Sequence, residues 1–148
     1  MRKMQRIDEK LQIISTIAKI HRANLRELNR RLSKLNLSYI DFLVLRAISD
    51  GPRSMVYLTN KYFVTQAAIT VTVDRLEEKG LAKRIRDKRD RRVVMKGIIE
   101  DGLRTLNEGM KIYEELVEEI LNGINEDEIR ELLSKLNLIL SRIESSID

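Results

Sequence analysis

The sequence predicts a mainly α-helical fold in which two long helical ends flank a compact middle of short helices and one hairpin. Three observations carry this. Apolar residues at both ends recur at alternating spacings of four and three, the period of a helix that buries one stripe. Between the ends, short periodic stretches are opened by Ser or Thr and closed by Gly or Pro. Residues 81–98 break that period and read as two β-prone runs separated by charge.

From the start of the chain, Ile7, Leu11, Ile14, Ala18, His21, Leu25, Leu28, Leu32 and Leu35 form one stripe, so the first segment is a single long helix. Asn36 ends it. Ser38, with Asp41 three residues on, has the pattern of a capping box and opens a helix over "YIDFLVLRAIS", which Gly51 and Pro52 close. Ser54 opens the short helix "MVYLTNKYF", and Thr65 opens "QAAITVTVDRLEEK", which ends at Gly80. Along this last helix Ile69, Val73 and Leu76 face inward, whereas Gln66, Ala67, Thr70, Val71 and Asp74 fall on the other side.

"LAKRIR" and "RVVMKGI" are strands joined by the charged hairpin "DKRDR". The helical period then returns through Leu103, Leu106, Met110, Tyr113, Val117, Ile120 and Ile124. Asn125 with Glu128 starts a last helix whose apolar face is Ile129, Leu132, Leu136, Ile139, Ile143 and Ile147. Residues 38–98 thus read as one domain. Residues 1–37 and 99–148 read as a helical region whose stripes need a partner, and a second copy in a two-fold homodimer supplies one.

The bulk composition, 43% hydrophobic and 34% charged over 148 residues, is that of a folded chain. No apolar run approaches the ~20 residues of a membrane span, and "MRKMQRIDEK" lacks a signal-peptide core, so the expectation is a cytoplasmic protein without a membrane partner. The absence of cysteine excludes disulfides and thiol chemistry, and His21 alone cannot build a histidine metal site or a triad. With no glycine-rich phosphate loop either, no catalytic residue, metal or cofactor is expected, and an enzyme is the least favoured class. Charge is unevenly spread: residues 1–52 carry +6, residues 53–98 carry +7, and residues 99–148 carry −8. A polyanion is the natural partner of the middle segment.

Two helices joined by a tight turn and followed by a basic hairpin make the winged variant of helix-turn-helix. A helix start bearing small polar residues fits the major groove of double-stranded DNA. Thr65, Gln66, Ala67, Thr70 and Val71 are the candidate reading residues. Gln66 suits an adenine edge, and Thr70 or Val71 suits a thymine methyl. Arg75, Arg84, Arg86 and Lys88, with Lys61 and Lys83, are candidates for phosphate. Arg89 and Arg91, at the hairpin tip, are suited to the minor groove. Asp87 and Asp90, with Arg92, brace the hairpin through hydrogen bonds between carboxylate and guanidinium.

"LEEKGLAKRIRDKRDRR", residues 76–92, resembles the signature of the MarR (multiple-antibiotic-resistance regulator) family, through Leu76, Glu77, Gly80, Asp87, Arg89, Asp90 and Arg92. An archaeal member is the expectation. The resemblance implies a dimeric, sequence-specific transcription factor, more often a repressor, acting on a pseudo-palindromic operator. It also implies a recognition helix at about 65–79 and Arg89 in the minor groove. Family members often release DNA on binding a phenolic or other aromatic anion; Lys19, Arg22, Tyr39 and Tyr113 fall on helices that border such a pocket. Three positions depart from the pattern: Val71 replaces a polar or basic reading residue, Ile99 replaces a helix-capping threonine, and Lys96 interrupts an apolar strand position.

Plainer readings stand beside these. A charged run is often just solvated, Tyr113 lies on an apolar stripe and suits simple packing, and "EELVEEI" is the wet face of a helix rather than a metal site. The principal alternative function is a non-specific architectural DNA-binding protein, which shares the charge map without needing a reading helix. A protein–protein adaptor built on the long helices ranks next.

Overall fold

The computed structural model describes residues 2–62, 64–86 and 94–147, with side chains for 6–62, 64–85 and 97–146. The described elements are helix α1 (Arg2–Leu32), a 3-10 turn (Ser33–Leu35), α2 (Tyr39–Ile48), strand β1 (Arg53–Ser54), α3 (Met55–Tyr62), α4 (Gln66–Glu78), β2 (Ala82–Arg86), β3 (Val94–Ile98), α5 (Glu100–Ile120) and α6 (Glu126–Ile147). The strands form an antiparallel sheet in the order β1-β3-β2, with Ala82 opposite Ile98 and Arg86 opposite Val94. Helices α3 and α4 followed by the β2–β3 pair constitute the winged helix-turn-helix that the sequence predicts. The chain divides into two compact units, Met1–Glu114 and Glu115–Asp148. Among the described residues no helix is long and apolar enough to cross a membrane.

Local chemistry sets the boundaries. Asn36, at φ 55°, ends the first helical segment, and the Leu37 and Asn36 amides donate to the Leu32 and Ser33 carbonyls at 3.2 and 2.9 Å. Gly80, at φ 73°, closes α4 through the same paired pattern: Leu81 and Gly80 amides bond to the Leu76 and Glu77 carbonyls at 2.9 and 3.0 Å. Both are Schellman stops, in which a left-handed residue turns its own amide and the next one back to satisfy orphaned carbonyls. At the other ends, Ser38 and Asp41 complete a reciprocal capping box on α2, and the Thr65 hydroxyl accepts from the Ala68 amide on α4. In the second unit Asn125 accepts the Glu128 amide at 2.9 Å and donates to its carboxylate at 2.7 Å, so α6 opens as expected.

The core of the first unit gathers Leu28 and Leu32 of α1, Phe42, Leu45 and Ile48 of α2, Leu58 of α3, and Ile69, Val73 and Leu76 of α4, all nearly or fully inaccessible. Apolar surface removed from water is the main stabilising contribution here, about 1.5–3 kcal/mol per large side chain. α5 begins beside β2. Its Gly102 faces the Leu81 carbonyl so closely that any Cβ would collide with it. Ile99 contributes no side-chain cap to α5, but its amide donates to the Leu81 carbonyl at 3.2 Å, and Glu100 and Asp101 supply negative charge to the first turn.

Two features add detail to the sequence reading. The stripe on α1 is buried only toward its carboxyl end; Ile7, Leu11 and Ile14 are 53, 62 and 53% exposed, and His21 is exposed as well. In the same way Leu132, Leu136 and Ile143 of α6 face solvent, joined by Leu133 and Leu140. Strand β1 is an addition. It spans only Arg53–Ser54 and pairs with Lys96 and Met95.

Candidate nucleic-acid interface

The turn before α4 is set by the Thr65 cap, whose hydroxyl holds the Ala68 amide at the start of the helix. Gln66, Ala67, Thr70 and Val71 are exposed, whereas Ile69, Thr72, Val73 and Leu76 are buried. One face is thus anchored and the opposite one free. Two hydroxyls are already in use: Thr70 Oγ1 donates to the Gln66 carbonyl at 2.9 Å, and Thr65 Oγ1 accepts from the Ala68 amide at 3.1 Å. Thr70 therefore offers an outside partner a methyl group and acceptor lone pairs, and Gln66 offers a full amide. Val71, 60% exposed, presents bare apolar surface. This mixture suits a base edge with a methyl group beside it.

The cations behave less uniformly. Arg75 turns inward: its guanidinium pairs with Asp41 of α2, through Nη2 and through Nε at 3.1 Å. Asp41 is 1% exposed and also accepts the Ser38 amide at 2.8 Å, with Lys79 Nζ 3.9 Å away. Lys79 in turn donates to the Asn36 carbonyl. Asp41, a capping residue by its spacing, therefore also clamps α4 to the start of α2. The capping-box pattern was the sequence signal for the first role, and nothing local signalled the second. These residues border an open cleft of about 360 Å³ that Asn29, Ser33 and Ser38 also line.

Arg84 of β2 reaches back to α4, bonding Glu77 through Nε and Asp74 through Nη2, both at 3.1 Å. Lys61 and Lys83 are exposed and make no ion pair with a described residue. Arg86 is described in its backbone only, at the end of β2. Asp87, Lys88, Arg89, Asp90, Arg91 and Arg92 lie outside the described residues.

Of the four residues suggested for an aromatic anion, Tyr39 and Tyr113 lie near enough for their phenols to influence each other electrostatically. Tyr39 and Tyr113 are half-buried, and Tyr113 stands edge-on to Phe42 with ring centroids 6.0 Å apart. Burial raises the Tyr39 phenol above its ordinary pKa, and neighbouring Tyr113 adds to the effect. The Tyr39 amide is held by Asn29 Oδ1 at 2.6 Å. Lys19 and Arg22 lie exposed on α1, with no hydrogen bond, ion pair or ring contact to either tyrosine.

Residues 35–93 match the model of the MarR family. The transcriptional regulator BldR from Sulfolobus solfataricus is 55% identical, with a TM-score of 0.84 over 92% of this chain and 97% of that one. A mutant MarR from E. coli, solved with operator DNA, is 25% identical, with a TM-score of 0.79 over 90% and 96% of the two chains. Among curated proteins, the transcriptional regulator MhqR of Bacillus subtilis is 25% identical over 135 residues, 88% of this chain and 93% of its own.

Proposed function

Because the chain belongs to the MarR family of DNA-binding transcriptional regulators, we propose that it is a homodimeric repressor that reads a pseudo-palindromic operator. The observation that carries this reading is the exposed face of α4, where Gln66, Ala67, Thr70 and Val71 stand on a helix anchored from behind. We assign base reading to that face, with Thr65 setting its start. Backbone and minor-groove contact go to the basic hairpin through Arg86, Lys88, Arg89 and Arg91, braced by Asp87, Asp90 and Arg92. Arg75 and Arg84 border this surface while holding α4 in place. The division of labour is residues 38–98 for DNA and residues 1–37 and 99–148 for dimerisation. The exposed apolar faces of α1 and α6 support a second copy as the partner. Its role is binding rather than catalysis, carried out where the DNA is, in the cytoplasm.

Competition binding separates this role from non-specific packaging of DNA. The protein is expected to prefer a site in its own upstream DNA over random duplex by roughly 10³-fold or more at physiological salt. A ratio near one would assign it the architectural role instead. We further propose that the Tyr39–Tyr113 cluster admits an aromatic anion, with Lys19 and Arg22 supplying charge at its approach. Salicylate at millimolar concentration is expected to weaken operator binding by favouring a conformer that binds DNA poorly. Unaltered binding would remove the sensing role and leave repression intact.

A further inference from the structure

Arg75 and Arg84 are largely neutralised within the fold, by Asp41 and by Asp74 with Glu77. Two cations at the β1–α3 edge are in the opposite situation. The Arg53 guanidinium lies over the Tyr57 ring, its central carbon 4.7 Å from the centroid. Lys61, one turn beyond Tyr57, places Nζ 5.6 Å from the same ring and donates to the Tyr57 hydroxyl at 3.3 Å. Neither cation pairs with a carboxylate among the described residues, and Arg53 Nε is buried with no hydrogen-bond partner there.

The sheet register sharpens the imbalance. Arg53 stands opposite Lys96, and Lys96 stands opposite Arg84 on its other side, so basic residues occupy one full row across the strands. A row of residues of one charge sign favours an anionic partner. In this row Arg84 has its own carboxylates, whereas the contact of Arg53 among the described residues is the face of the Tyr57 ring. An anion beside the Arg53 guanidinium and Lys61 Nζ supplies the negative charge that neither finds among the described residues. Tyr57 holds both cations in place beforehand, which lowers the entropy cost when that anion arrives. α3 packs directly against α4, so the pair belongs to the lobe that bears the reading helix.

We propose that Arg53 and Lys61, braced by Tyr57, form a grip on a DNA phosphate, separate from the hairpin and indifferent to base sequence. This rests on the DNA-binding reading above. The test uses the full-length protein with two duplexes of equal length, one from its own upstream DNA and one of random sequence, titrated over a range of salt. For Arg53→Gln with Lys61→Gln, the slope of log affinity against log salt is expected to become shallower by about 0.9 for each phosphate no longer held, equally on both duplexes. Arg53→Lys, which keeps the charge, is expected to restore most of its share. Should Arg53→Gln fail to fold, Lys61→Gln alone decides, since Lys61 is exposed. An unchanged slope in a folded variant overturns the grip, and so does a loss confined to the upstream duplex, which means base reading. Wild-type protein that ignores salt on both duplexes removes the DNA-binding reading itself, and the grip with it.

Discussion

Arg75→Ala is expected to destabilise the protein by about 3 kcal/mol, the lower end of the range for breaking a buried ion pair. The larger part of that cost lies in what is left behind. Asp41 is 1% exposed, and without Arg75 its charge keeps only the Ser38 amide at 2.8 Å and Lys79 Nζ at 3.9 Å. The reciprocal change is gentler. Asp41→Asn removes the charge from the interior, and the Arg75 side chain, 38% exposed, can turn toward water. A loss of about 1–2 kcal/mol is expected there, from weakened hydrogen bonds and a weaker α2 cap. In thermal melts the difference is a midpoint drop of roughly 10 °C for Arg75→Ala against about 4 °C for Asp41→Asn. Arg75→Ala is also expected to weaken operator binding with little change in salt slope, because α4 loses its brace while its phosphate partners stay the same. A melt indistinguishable from wild type would show that the pair is not structural.

Leu133→Asp combined with Leu136→Asp is expected to abolish the homodimer proposed above. These side chains are 55% and 38% exposed, on the same face as Leu140 and Ile143. An interface that buries them is stabilised by about 2 kcal/mol for each leucine, and two-fold symmetry counts every substitution twice. The double variant thus weakens association by about 8 kcal/mol, more than 10⁵-fold. Sedimentation is expected to show monomer at micromolar concentration, with helicity retained because α6 has these positions exposed already. Operator affinity falls with the dimer, since one half-site holds one reading helix. A variant that still sediments as a dimer would take α6 out of the interface.

Much of the fold was legible because its boundaries are local events. Ser38 with Asp41, Thr65, Gly80 and Asn125 with Glu128 each act within a few residues of themselves, and each stops or starts a helix where spacing places it. Periodicity was a weaker guide to burial. Ile7 and Leu28 occupy the same stripe, yet one is 53% exposed and the other fully covered, because a period identifies a face without saying what lies on it. Strand β1 was not legible, since two residues carry no alternation and their pairing partners lie more than forty positions away.

The candidate site divides in the same way. The free face of α4 follows from helix geometry, as Gln66, Thr70 and Val71 against Ile69 and Val73 show. Which cations are free does not follow from charge. Arg75 meets a carboxylate 34 positions earlier, a distance no local pattern spans, whereas Asp74 and Glu77 are only ten and seven positions from Arg84. Arg53 carried no signal because its distinguishing feature is a missing acceptor.

The bond from Lys79 to the Asn36 carbonyl joins the carboxyl ends of two helical segments, the long α1 with its 3-10 extension and α4. It gives the two helices one shared anchor point. At 1.5 Å per residue, α1 with its 31 residues is about 46 Å long, so a tilt of about 5° swings its far end by about 4 Å. That is close to the ~3.4 Å rise of one base pair. Where two such arms lean on each other, a small change in their crossing angle becomes a change in the pitch of DNA that the two reading heads can fit. On the function proposed above, the spacing of two half-sites would then be gauged through α1 rather than at the bases.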